Sequence, residues 1–224
     1  MSTAYRASES DIDSWVKQYL QPRYPELVTP FLEAFDLCKK AHSSGILSET
    51  DAQRLLEHAR SNRTPLGENA ATFLGELCDS QTTAREALRL LASSNRVDER
   101  INALVALESC QTSDLHEELL ASALSDRSAR VRALAADRIV GHGLKSLLAK
   151  LHVAIEKEKD ANLKVELVTS KELLMQSYAI RHEGEYVYVI CRPPNWSSTS
   201  RRFSLAEFES EGEAWIAKHT RTTT

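Results

Sequence analysis

Leu124–Gly143 reads LSDRSARVRALAADRIVGHG, a helix-length run in which Arg138 stands inside the apolar stripe and alanines fill much of the rest. At about 100° per residue, Val131, Leu134, Ala135, Arg138 and Ile139 fall on one stripe. Ala129, Ala133, Ala136 and Val140 occupy the opposite arc. A helix that is apolar or small nearly all round lies between neighbours on more than one side, and its alanines let those neighbours come close. An arginine on a packed face is costly unless paired. Arg138 is therefore read as structural, its stem packed and its guanidinium reaching a carboxylate or helix-terminal carbonyls. Gly141 and Gly143 mark where this helix stops.

Outward from this run, helical spacing of apolar residues persists almost to residue 176, interrupted by short polar turns. It predicts helices near 10–20, 25–42, 48–61, 67–78, 81–93, 97–110, 113–124, 128–141, 143–157 and 161–176. Ser48, Ser113 and Ser128 open their segments with side chains able to accept backbone N–H bonds. The segments also repeat. A shift of 30 residues lays Ile101, Leu104 and Ala106 on Val131, Leu134 and Ala136, and a further shift of 34 brings Val165 and Val168 onto Val131 and Leu134. Fixed-period similarity between helical hairpins is the signature of an α-solenoid, whose units bury their faces only against neighbours. The expectation is a mostly α chain of about five helical hairpins over residues 1–176.

After Gln176 the period changes. YAIRHEGEYVYVICRPP alternates around Gly184 and reads as a β-hairpin. NWSSTSRR reads as a polar loop, and Ser204 with Glu207 forms a capping box before a helix carrying Leu205, Phe208, Trp215 and Ile216. Residues 177–224 are too few for a core of their own and are expected to cap the last helical pair.

Composition narrows the function. Only 7 Gly and 6 Pro occur in 224 residues, which suits a helical chain. A net charge of −4 gives no global attraction to nucleic acid or acidic lipid. The opening residues lack a basic region followed by an apolar run, and no apolar run reaches membrane-spanning length, so a cytoplasmic protein is expected. Cys38, Cys78, Cys110 and Cys191 are widely spaced within apolar patterns and are expected to be reduced core thiols. No HExxH, CxxC, GxSxG or phosphate-binding glycine loop occurs, so no catalytic residue, cofactor or metal ligand is assigned.

Leu124, Asp126, Val131, Arg132, Ala135, Ala136 and Ile139 spell L-x-D-x4-V-R-x2-A-A-x2-I, which resembles the HEAT repeat. The likeness is good in this repeat, partial at 81–110 and 143–176, and fades towards the N-terminus. It implies a HEAT-like α-solenoid in which Asp126 and Arg132 join a hydrogen-bonded ladder between repeats. Asn102 and Glu166 stand where Arg132 stands, which breaks the pattern.

Several groups are candidates for binding. In the alignment Asn102, Arg132 and Glu166 form one row across successive repeats, flanked by Glu99 and Arg130. RPPNWSSTSRR places Trp196 beside Arg201 and Arg202, residue types enriched at interface hot spots. Residues 120–150 hold six basic residues (Arg127, Arg130, Arg132, Arg138, Lys145, Lys150) against two acidic ones, a local set that phosphates would suit. Some HEAT-like proteins are alkylpurine DNA glycosylases, but Trp15, Trp196 and Trp215 lie away from the central helices. His116–Glu117 and His182–Glu183 resemble the pairs of HEAT-like di-iron hydroxylases, yet stand on unlike elements. The expected function is a non-enzymatic protein–protein interaction module, an adaptor or an inhibitor or immunity-type binder. The alternative is a DNA-binding or glycosylase-like protein.

Overall fold

The computed structural model describes residues 9–192 and 198–220. Of the described residues 74% are helical, and the chain also has a small three-stranded antiparallel sheet. It divides into two compact units at Leu119–Leu120, inside one helix. The last helices and the sheet share the second unit. No described helix is long and apolar enough to cross a membrane.

In the first unit, α1 (Glu9–Trp15) runs through a π-helical turn into α2 (Gln21–Arg23), and a 3-10 turn at Pro25–Leu27 leads to α3 (Val28–Ser44). Gly45, at φ +70°, ends α3 in the left-handed region that favours glycine. Then follow α4 (Glu49–Ala59), α5 (Thr64–Leu77), α6 (Thr82–Ala92), α7 (Val97–Ala106) and the first part of α8 (Ser113–Ala123), whose residues from Leu120 belong to the second unit. The Ser48 hydroxyl accepts from the Asp51 amide at 3.1 Å, the cap its sequence position implied. α5 packs against α3, α4, α6 and α7, and α4 also packs against α6. Its core includes Ala70, Leu74 and Leu77 with Leu104 and Leu107, all closed to solvent. Burying each leucine contributes roughly 1.5–3 kcal/mol. Close approach of α5 to α7 depends on glycine: a Cβ on Gly75 would lie 2.1 Å from the Ala106 carbonyl oxygen.

That approach also brings two distant cysteines together. Cys78 and Cys110 form a disulfide across 32 residues, with a Cα–Cα distance of 6.3 Å. This corrects the expectation of four reduced thiols; Cys38 and Cys191 are free and buried. Nothing local encodes the pairing, because the packing of α5 against α7 creates it.

In the second unit, α9 (Ala129–Gly141) holds the opening stretch. Val131, Ala135 and Ile139 are buried on one side and Ala136 and Val140 on the other, so α9 is enclosed on more than one face. The Leu144 amide donates to the Ile139 carbonyl at 3.0 Å over Gly143, whose φ is +64°. A 3-10 turn leads to α10 (Leu148–Lys157), then α11 (Ala161–Gln176) packs against both α9 and α10. Leu163, Leu167, Leu173 and Leu174 are its buried side. Val165 and Val168 are 49% and 38% exposed, so the 34-residue shift that laid them on buried Val131 and half-buried Leu134 does not describe the packing.

β1 (Tyr178–Glu183) and β2 (Tyr186–Cys191) form the expected hairpin, turning at Gly184 with φ +60°. The segment read as a polar loop is in part a strand: β3 (Thr199–Ser204) pairs antiparallel with β2, Val187 opposite Phe203. One sheet face carries Val187, Val189, Cys191 and Phe203, packed against Phe208, Trp215 and Ile216. These last residues follow the Ser204–Glu207 capping box through α12 (Leu205–Glu207), a π-helical turn and α13 (Glu213–Thr220). Across the sheet, β1 lies on α11, where the Arg181 Nε donates to the Thr169 hydroxyl at 2.9 Å.

Candidate functional site

Arg132 and Arg138 are both engaged within the second unit. Arg132 donates from Nε and Nη2 to the two Glu158 oxygens at 2.8 and 2.9 Å, and from Nη1 to the Asp126 carbonyl at 2.8 Å. Asp126 accepts from the Ser128 amide at 2.7 Å, closing the turn before α9. Arg132, together with the Asp160 and Lys159 amides, holds the Glu158 carboxyl below its ordinary range. Glu158 is the partner that sequence reasoning missed. It lies in the turn between α10 and α11, where no periodicity marks it. Arg138 is half-buried, its Nη1 3.7 Å from the Asp137 carboxylate, which also meets Arg192.

The other candidates are scattered. Glu99 is buried in the first unit, facing Arg96 at 3.2 Å and Arg60 at 3.6 Å. Asn102 is also buried and donates to the Ala59 carbonyl at 2.8 Å. Arg130 is exposed on the first turn of α9. Glu166 is exposed on α11 and lines a small recess with Asp137 and Arg181, separate from the one lined by Arg132 and Glu158. Arg201 lies over the Phe203 ring at 4.3 Å with Glu211 at 3.1 Å, and Arg202 lies over Tyr186 at 4.6 Å. Trp196 lies outside the described residues. His116 bridges the Thr112 and Leu107 carbonyls at 2.8 Å each, whereas His182 is exposed on β1.

A surface that the sequence did not single out lies on the first unit. A groove of about 650 Å³ runs between α3 and α4, lined by Glu33, Glu49, Asp51, Glu57 and Arg54 together with Leu37. A second groove, about 350 Å³, runs between α4 and α6. Glu49 and Glu86 border it, and Ala52, Leu56, Ala87 and Leu90 supply apolar surface. Leu90 is 50% exposed there. Arg54 is held by Glu33 at 2.6 Å and Glu57 at 3.0 Å, so its charge is spent within the groove and both carboxyls sit below their ordinary range. Lys40 does the same for Asp51 at 2.8 Å. The grooves are open troughs rather than enclosed cavities, and macromolecular surfaces suit such shapes better than small molecules do.

Two described clusters combine metal-ligating side chains: Cys38, His42 and Glu76, and Cys78, Asp79 and Cys110. The second has its thiols in the disulfide, with Asp79 accepting from the Gln111 amide and the Thr112 hydroxyl. Compared with known protein families, curated proteins and solved structures, the chain matches none.

Proposed function

We propose that the chain is a HEAT-like, non-enzymatic protein-binding module, an adaptor or small inhibitor, and that it recognises a basic protein surface. The observation that carries this reading is the pair of adjoining grooves along α3, α4 and α6, the first lined mainly by acidic side chains and the second combining Glu49 and Glu86 with apolar surface. Apolar contact at Leu90 and Leu37 would supply affinity, and the carboxylates would select partner charge and speed encounter. Within the first unit, α3 neighbours α5 and α5 neighbours α7, while α4 neighbours α6; that alternation supports repeated hairpins. Nucleic acid is less favoured, because Arg132 is committed to Glu158 and Arg138 lies against Asp137. The test is a charge reversal, Glu49→Lys with Glu86→Lys, in a pull-down from source cells. A protein retained by the wild type and released by moderate salt should be lost by the variant. Retention of DNA or RNA instead, or a partner indifferent to the reversal, overturns the reading.

A further inference from the structure

The side chains of Cys38, His42 and Glu76 meet between α3 and α5 of the first unit. Cys38 and His42 stand four residues apart on α3, so both project from one helix face, and Glu76 comes from the last turn of α5. One carboxylate oxygen, Glu76 Oε2, faces both: it lies 3.9 Å from the Cys38 sulfur and 3.7 Å from the His42 Nε2. The second separation exceeds the roughly 2.7–3.2 Å of an N–H···O hydrogen bond. Both are close to the edges of a tetrahedron around zinc. With bond lengths of about 2.3 Å to sulfur and 2.0–2.2 Å to nitrogen and oxygen, those edges are about 3.3–3.6 Å. For these two edges a few tenths of an ångström of side-chain adjustment closes the difference, and all three ligand atoms lie within 4.8 Å of one another.

From this geometry we propose that Cys38, His42 and Glu76 bind a zinc-class divalent cation through Sγ, Nε2 and Oε2. Thiolate, imidazole and carboxylate together select a borderline-soft metal over calcium or magnesium, which take oxygen ligands. The sulfur is buried, with the Phe73 carbonyl oxygen 4.0 Å away. His42 is half-exposed, so the fourth position opens to solvent, where water or a partner's side chain completes the tetrahedron. Burial first, and then the Glu76 charge, push the Cys38 thiol well above its usual range. The ion would tie α3 to α5, which already pack together. This inference is independent of the proposed partner.

The experiment is a Co(II) titration of the full chain, read by absorption. The expected result is saturation at one equivalent, with a near-ultraviolet thiolate-to-cobalt charge-transfer band and intense visible d–d bands of tetrahedral symmetry, both displaced by Zn(II). His42→Ala is the deciding variant, because a half-exposed side chain can be removed without emptying the core. It should weaken binding by at least the about 10–100-fold that losing an outer-shell partner costs, with the circular dichroism spectrum kept. The Cys78→Ser/Cys110→Ser variant should keep the bands. No charge-transfer band in the wild type, or one that survives His42→Ala and disappears with Cys78→Ser/Cys110→Ser, overturns the assignment.

Discussion

Replacing Gly75 by alanine tests the closest helix contact in the first unit. An added Cβ would stand 2.1 Å from the Ala106 carbonyl oxygen, 2.9 Å from its carbon and 3.3 Å from its Cα. All three are backbone atoms of α7, so no rotamer change relieves the clash, and α5 or α7 must move by about 1 Å to restore van der Waals contact. Overpacking of this kind costs about 1–3 kcal/mol, and a backbone obstacle places it at the upper end. Alanine recovers about 1 kcal/mol through better helix propensity and a less flexible unfolded chain. The net loss is about 2 kcal/mol. In urea unfolding followed by circular dichroism, a slope of about 1–3 kcal/mol/M turns this into a midpoint lower by roughly 1 M. The sign is decisive. If α5 and α7 were farther apart, the same substitution would raise the midpoint through propensity alone, and the packing described here would be wrong.

Four further outcomes follow from other contacts of the fold. Arg132→Ala should destabilise the second unit by about 1–3 kcal/mol, since it breaks charge-assisted bonds and leaves Glu158 without its guanidinium; an unchanged urea midpoint would mean the pair contributes nothing. The folded Glu158 carboxyl is held below its unfolded value, so its stabilisation is complete above the ordinary carboxylate range and lost as pH falls through the depressed value. Melts at descending pH should show that loss in the wild type and a shallower one in Glu158→Gln. Reduction of Cys78–Cys110 should lower stability by about 3–4 kcal/mol for a loop of 32 residues, and a melting temperature indifferent to reductant would argue against the bond. Truncation after Gln176 removes Arg181 from Thr169 and Arg192 from Asp137, and uncovers the side of α11 that β1 covers. Size-exclusion chromatography should then find the fragment aggregated; a monomer with an intact melt would show that the tail is not a cover.

Helix placement was legible because its signals are local. Ser48, Gly143 and the Ser204–Glu207 box act where their positions in the chain say they should, through bonds spanning a few residues. Ser128 does not: its hydroxyl makes no cap, and the Asp126 carboxylate takes its amide instead. The features that were missed depend on distant partners. β3 has one buried apolar residue, Phe203, and becomes a strand through pairing with β2 and packing on Trp215. Glu158 meets Arg132 from 26 residues away, and Cys78 meets Cys110 only after α5 and α7 pack. The repeat alignment failed at α11 because valines satisfy an apolar pattern whether they face inward or outward. The acidic grooves were invisible for a related reason: their residues come from separate helices, each of which alone reads as an ordinary solvated face.

Site-specific photo-crosslinking in source cells tests the central claim most directly. A photoreactive residue at Leu90, exposed in the groove between α4 and α6, is compared with one at Met175, exposed on α11. The account predicts a discrete protein adduct from position 90 that disappears with Glu49→Lys/Glu86→Lys, and none of that mass from position 175. An adduct formed only from position 175, or a nuclease-sensitive adduct from either, would contradict it.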